Sequence, residues 1–218
     1  NGFPAGTYRL LFDTWRAAGF TVRAIDKLGH DPALPVTSNW PQLRTELIRF
    51  IEMQADHPVW LVGHSLGGML GVLVASLRPD LVAGLVLLDA PVIAGWRAHG
   101  LQVAKASGLY QRLSPGKVSR QRRHAWPTRA DVQAHFAAKS AFARWDPRVL
   151  ADYVASGFVE QDGAVRLAFD RAIETRIYNT IPHHSGTLLK RHPLRCPVAF
   201  VAGRQSREMH LGGLEASR

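Results

Sequence analysis

The sequence predicts an α/β fold in which a mostly parallel β-sheet is covered by helices on both faces. Short apolar runs of strand length alternate with segments of helical periodicity along the 218 residues. The runs are apolar on both faces, which is typical of buried parallel strands. The length and the 46% hydrophobic composition suit one domain with a sizeable core.

Four apolar runs are predicted as strands, at residues 20–25, 59–62, 82–88 and 198–202. Helices are predicted over 8–18, 42–54 and 66–77, because Gly19 stops the first, Pro41 opens the second and Pro79 follows the third. Open α/β sheets place their sites at the carboxyl ends of their strands. The residues at those ends are Asp26, Gly63, Asp89 and Gly203.

The stretch between the strands 82–88 and 198–202 is too long for a simple connection. Its predicted helices are 97–109, 129–142, 147–158 and 170–178, with Asp146 as an N-cap and a short extended segment at 164–169. We expect a helical lid over residues 94–180, inserted between core parts at 1–93 and 181–218. Most of its aromatic side chains are expected in the lid core and the remainder above the site.

Residues 63–68 read Gly-His-Ser-Leu-Gly-Gly and lie between a predicted strand and a predicted helix. A Gly-x-Ser-x-Gly pattern alone is weak, but this context is that of a nucleophile elbow, which makes Ser65 the predicted nucleophile. The turn is tight, so Gly63 and Gly67 are expected to avoid collisions around the serine. The N–H of Leu66 opens the helix and is predicted as an oxyanion donor.

The chain begins Asn-Gly-Phe-Pro-Ala-Gly, directly before the predicted helix 8–18. Together with the elbow, this start resembles the α/β-hydrolase superfamily, in which a His-Gly-x-Pro-type loop leads into the first helix. The resemblance implies an α/β-hydrolase fold and a second oxyanion donor, the N–H of Phe3. Asn1 stands where many members carry histidine.

The resemblance also implies an acid and a histidine that follow the nucleophile along the chain. The position that most often holds the acid is occupied by Ser206, and Glu208 lies two residues further on. Asp89 ends the strand 82–88, where a minority of the superfamily carries its acid. We therefore expect Asp89 to be the acid, with Glu208 or a residue beyond the chain as alternatives.

The family's histidine follows a last strand that comes after a further helix. This chain reaches Arg218 within that helix, so we expect the base outside the sequence and the 218 residues alone to be inactive. His30 and His64 are expected to be structural, and His183 and His184 to form a surface pair without metal-ligand spacing.

These features predict a serine hydrolase that cleaves a carboxylic ester or a related acyl bond of a small molecule, with no cofactor and no metal. Thioesters, amides and carbon–carbon bonds are cleaved with the same parts, and the sequence does not separate them. The alternative from another class is a binding or interaction protein with this fold. The intact elbow argues against that alternative.

Cys196 is the single cysteine, so no intramolecular disulfide forms and nothing favours an oxidising compartment. No apolar run reaches the roughly 18 residues of a membrane span. We expect a cytoplasmic protein in which Cys196 is a small buried hydrophobe at a strand start.

Residues 96–148 carry eleven lysines and arginines against Asp131 and Asp146, within a net charge of +10 for the chain. Such a run is typical either of a surface that attracts an anionic partner or of an ordinary solvated helical surface. Because no nucleic-acid motif accompanies it, we favour the solvated surface and expect no nucleic-acid partner.

Overall fold

A computed structural model of the chain describes residues 2–91, 100, 104–105 and 115–206. Its main sheet contains the strands β1 (Val59–His64), β2 (Val82–Leu88) and β6 (Val198–Val201). They are ordered β1-β2-β6 and all run parallel. The predicted parallel sheet is thereby confirmed, and its strand bounds differ from the predicted ones by at most two residues.

The helices flank this sheet and also build the segment between β2 and β6. They are α1 (Arg9–Ala17), α2 (Pro41–Gln54), α3 (Leu66–Leu77), α4 (Pro115–Gln121), α5 (Arg129–Ala137), α6 (Pro147–Ser156), α7 (Arg171–Asn179) and α8 (Ser185–Arg191). Short 3-10 turns lie at Ala5–Tyr8 and Pro79–Leu81. The predicted N-cap Asp146 accepts a hydrogen bond from the Arg148 N–H at the start of α6. The predicted helix 97–109 lies almost entirely outside the described residues.

The prediction of a strand at residues 20–25 was wrong. This segment has no regular secondary structure, no described strand pairs with it, and Phe20 is 64% exposed. A β-strand depends on hydrogen bonds to a neighbouring strand, which an apolar run does not itself supply. The apolar pattern of residues 20–25 alone was therefore insufficient to predict a strand.

The core holds α3 firmly against the sheet. Leu85 of β2 and Val74 of α3 are fully buried in one apolar cluster between these elements. A second cluster on the other side of α3 contains Trp40 and Leu70, both at most 1% exposed. Since α3 packs on two sides, the turn that leads from β1 into α3 has a fixed position.

The described part of the insert, the name used here for residues 94–180, has its own core. Its short strands are β3 (Ala125–Trp126), β4 (Phe158–Gln161) and β5 (Ala164–Leu167), which form an antiparallel sheet of order β3-β5-β4. The expected extended segment at 164–169 is the third of these strands, and the other two were not predicted. The rings of four buried aromatic residues form most of the core: Trp126, Phe136, Tyr153 and Phe158.

Candidate active site

Two candidate catalytic residues follow neighbouring strands at the same edge of the main sheet. The last residues of the strands are in register, with His64 opposite Leu88 and Leu88 opposite Val201. The Ser65 N–H donates to the Leu88 carbonyl at 3.0 Å, and the Asp89 N–H donates to the Val201 carbonyl at 2.7 Å. The ladder thus brings Ser65 and Asp89 together at the carboxyl edge, where open α/β sheets bind ligands.

Ser65 lies at a sharp turn between β1 and α3. Its φ is +50° and its ψ is −113°, a conformation that is rare and unfavourable for a residue with a side chain. Its side chain is exposed at the sheet edge. Leu66 is the first residue of α3, so its N–H has no acceptor within the helix. This geometry is that of a strand-to-helix elbow that carries an exposed serine.

Gly63 avoids a collision at the turn as expected, but Gly67 does not. A Cβ on Gly63 would lie 2.3 Å from the backbone of Gly67 and of Gly68, so no side chain fits there. A Cβ on Gly67 would meet nothing within 4 Å, which corrects the expectation of a collision at this position. The second sterically required glycine is Gly68, whose Cβ would lie 2.4 Å from that of Ala90. Helix α3 crosses β1 at Gly63 and Gly68, and the pattern Gly-x-Ser-x-Gly does not include the latter.

Asp89 is held by two hydrogen bonds from the loop that follows β6. Its Oδ1 accepts from the Gly203 N–H at 2.9 Å, and its Oδ2 accepts from the Ser206 hydroxyl at 2.7 Å. Its own backbone has a φ of +49°, so this residue also ends its strand in a strained turn. From the sequence, Ser206 was interpreted only as the residue at the usual position of the acid. Its position beside Asp89 was nevertheless available from the adjacency of the two strand ends.

The depression over Asp89 is open and partly cationic. It is lined by Asp89, Gly203, Arg204, Gln205 and Ser206 together with Arg144 of the insert. Arg144 Nη1 donates to the Gln205 side-chain oxygen at 2.6 Å, so the insert is joined to the loop after β6 across this depression.

Phe3 lies in the loop before α1, and its ring packs into the core of the insert. The ring centroid is 5.3 Å from that of Tyr153 and 5.4 Å from that of Trp145. The insert core therefore fixes the Phe3 side chain. The N–H of Phe3, the candidate oxyanion donor, is part of the loop backbone. Asn1 lies outside the described residues.

Tyr8 contacts the residue before Ser65, and this contact was not predicted. Its hydroxyl forms a 2.8 Å hydrogen bond with His64 Nδ1, and burial raises the pKa of Tyr8 to about 12. The phenol therefore stays protonated near neutral pH. Tyr8 thus contacts the residue that directly precedes Ser65.

Two other described histidines have partners elsewhere in the fold. His30 Nδ1 is 3.1 Å from the Leu28 carbonyl, and His30 Nε2 accepts from the Asp170 N–H. His183 Nδ1 is 3.2 Å from Lys105 Nζ. In the described ranges, no imidazole is hydrogen-bonded to Asp89. The alternative acid Glu208 lies outside them, as does His210.

The described part of the chain contains neither a candidate metal site nor a candidate membrane-spanning helix. No group of three histidine, cysteine, aspartate or glutamate side chains is arranged there to hold a metal ion. None of the helices there is both long enough and apolar enough to cross a membrane.

Comparison with characterised families agrees with this geometry. A model of the alpha/beta hydrolase family matches residues 1–208. The chain is 41% identical over 73 residues to Lipase LipV of Mycobacterium tuberculosis, a stretch that covers 33% of this chain and 28% of the lipase. It is 32% identical over 100 residues to human monoglyceride lipase, covering 43% of this chain and 33% of that protein. The matched regions thus span about a third or less of these relatives.

Solved structures show the same architecture over nearly the whole chain. The thioesterase domain from the curacin biosynthetic pathway superposes with a TM-score of 0.69 at 22% identity, covering 99% of this chain and 77% of that domain. E-2-(acetamidomethylene)succinate hydrolase gives a TM-score of 0.63 at 21% identity, with coverage of 96% and 85%. These likenesses concern the fold. With a family match over residues 1–208 and a strand-turn-helix elbow at Ser65, this chain belongs to the alpha/beta hydrolase family.

Proposed function

We propose that this protein is a serine hydrolase that cleaves the ester bond of a small acyl substrate, with Ser65 as nucleophile and Asp89 as acid. The observation that carries the proposal is the placement of these two residues after neighbouring strands at one sheet edge, joined to it by the bonds Ser65 N–H to Leu88 and Asp89 N–H to Val201. The partial identity to two lipases supports an ester as the bond cleaved.

The reaction follows from the chemistry of such a set. The Ser65 hydroxyl attacks the acyl carbon and passes its proton to a histidine base, and the carbonyl oxygen becomes an oxyanion. The N–H groups of Leu66 and Phe3 donate to that oxyanion. The proton then goes to the leaving alcohol, and water releases the acid from Ser65 by the same steps in reverse.

Asp89 orients the base in this proposal. Its carboxylate is fixed by Gly203 and Ser206, so it presents a constant acceptor to the imidazole N–H. Since no described histidine is hydrogen-bonded to Asp89, the base is proposed to come from outside the described residues. The insert is proposed to act as a lid whose half-buried aromatic side chains contact the acyl chain.

The test is steady-state hydrolysis of p-nitrophenyl butyrate by the full-length protein. We expect turnover by the wild type and near-background rates for Ser65→Ala, since removing a triad member leaves only about 10³- to 10⁴-fold catalysis over water. Ser206→Ala is the matched control, because it removes a hydroxyl from the same sheet edge and leaves the nucleophile. Equal loss in both variants, or none in Ser65→Ala, would contradict the proposal.

A further inference from the structure

The candidate oxyanion loop lies directly against an ion pair of the insert, in which Glu174 is buried and Arg122 is partly buried. Gly2 is buried, and a Cβ built on it would lie 2.6 Å from Glu174 Oε1 and 3.4 Å from Arg122 Nη1. No side chain fits between the Gly2 backbone and this pair. The backbone that leads into Phe3 therefore packs directly against the Glu174 carboxylate.

The carboxylate is itself held rigidly. Arg122 Nη1 donates to both oxygens of Glu174 at 3.0 Å, and the Ser119 hydroxyl donates to Oε2. Arg122 Nη2 also reaches the Tyr153 hydroxyl at 3.4 Å. Glu174 is only 3% exposed. Burial acts to lower the pKa of Arg122, but the interactions with Glu174 and Tyr153 together outweigh it, so the net effect raises that pKa.

Stability alone does not account well for such a pair. Desolvation of both charges offsets much of their attraction, and apolar replacements of buried ion pairs are often neutral or stabilising. The hydrogen bonds of the pair connect α4, α7 and α6, and the Glu174 carboxylate that they hold lies next to Gly2. Oxyanion donors need this kind of constraint, because they act only when they lie about 2.7–3.1 Å from the developing charge.

We propose that Glu174, fixed by Arg122 and Ser119, is a positioning residue that places the Phe3 N–H for oxyanion stabilisation by acting through the backbone of Gly2. The insert then sets the rate of acyl transfer in addition to covering the site. This inference rests on the proposed serine hydrolase function.

The test compares an ester with its thionoester, in which sulfur replaces the carbonyl oxygen. Sulfur is larger and a weaker hydrogen-bond acceptor, so the ratio of the two kcat values measures how well the oxyanion donors are placed. In the full-length protein, we expect Glu174→Gln to lower kcat for the ester by about tenfold or more, because misplacement by about 1 Å can cost on the order of 10²-fold. The ratio of ester to thionoester should fall with it, while acyl-chain preference stays unchanged.

Glu160→Gln is the matched control. It removes the charge of an exposed insert glutamate that lies 3.5 Å from Arg129 and away from Gly2, and we expect both kcat and the ratio to stay at wild-type values. If Glu174→Gln does not fold, the double variant Arg122→Met/Glu174→Leu removes both charges, and the same loss of kcat and ratio is expected. An unchanged kcat, or a lower kcat with an unchanged ratio, would overturn the inference. A wild type that neither hydrolyses esters nor reacts at Ser65 would instead contradict the proposed function.

Discussion

Ser206 donates its hydroxyl hydrogen to Asp89 Oδ2 at 2.7 Å and so joins the loop after β6 to the residue that follows β2. Ser206 occupies the position where relatives most often carry the acid, while Asp89 follows the neighbouring strand. The two positions are in contact, so a carboxylate at Asp89 reaches almost the same place as one at residue 206 would. If Asp89 is the acid, as proposed, this contact would allow it to act from the neighbouring strand on a base in the same place.

The first prediction concerns which residue is the acid. Asp89→Asn should lower kcat by roughly 10⁴-fold, as loss of the triad aspartate does elsewhere, because the base loses its orienting charge. Ser206→Ala should cost at most about tenfold, since one of two hydrogen bonds to Asp89 remains. Glu208→Gln should have little effect. A large loss for Glu208→Gln with a small one for Asp89→Asn would assign the acid to Glu208.

The second prediction separates the glycines of the elbow. Gly63→Ala should destabilise the protein, by about 1–3 kcal/mol or more, because its methyl group has no space against the backbone of Gly67 and Gly68. Gly67→Ala should leave the free energy of unfolding nearly unchanged, since its Cβ meets open space. Urea unfolding of both variants measures the difference. Equal destabilisation would show that α3 does not cross β1 as described.

The third prediction concerns substrate choice. Phe142 is half-buried and its ring centroid lies 6.3 Å from that of Phe3, so it is one of the insert aromatic residues close enough to the oxyanion loop to contact an acyl chain there. Phe142→Leu should shift the preferred acyl-chain length in a series of p-nitrophenyl esters. Phe158→Leu is the control, because Phe158 is 1% exposed and should affect stability alone. Identical chain-length profiles for wild type and Phe142→Leu would leave the insert without a role in specificity.

The fourth prediction is a dependence of stability on pH. Burial lowers the pKa of His30 below its usual value of 6.5, so the unfolded chain takes up the proton more readily than the folded one. This lowers the melting temperature as pH falls through 6.5, and the loss is complete below the folded-state pKa. His135, His183 and His184 also have lowered pKa values and act in the same direction.

His30→Gln isolates the contribution of His30. Its melting temperature should fall less between pH 7 and pH 5 than that of the wild type, because the variant has no proton to take up at this position. The matched control variant is His57→Gln, which removes an exposed histidine from the loop before β1. Parallel profiles for wild type and His30→Gln would contradict the described burial of His30.

The sequence was most informative where the determinants are local. The apolar run of β1, the turn at Ser65 and the helix α3 follow one another along the chain, so their bounds were predicted almost to the residue. The strand predicted at residues 20–25 depended on a partner, and the short strands of the insert are only two to four residues long, too short for a periodic pattern.

The contacts that fix the candidate site were less accessible from the sequence, because they join distant segments. The hydrogen bond between Tyr8 and His64 spans 56 positions, and that between Asp89 and Ser206 spans 117. Neither pair forms a motif. Gly68 was passed over for a similar reason, since the residue that excludes a side chain there is Ala90.

The most direct test of the account is the site of covalent modification by a fluorophosphonate. The full-length protein is treated with the probe and digested, and the modified peptide is sequenced by mass spectrometry. We predict a single adduct on Ser65 that is absent from Ser65→Ala and retained in Ser206→Ala. An adduct on any other serine, or equal labelling of Ser65→Ala, would show that Ser65 is not the nucleophile.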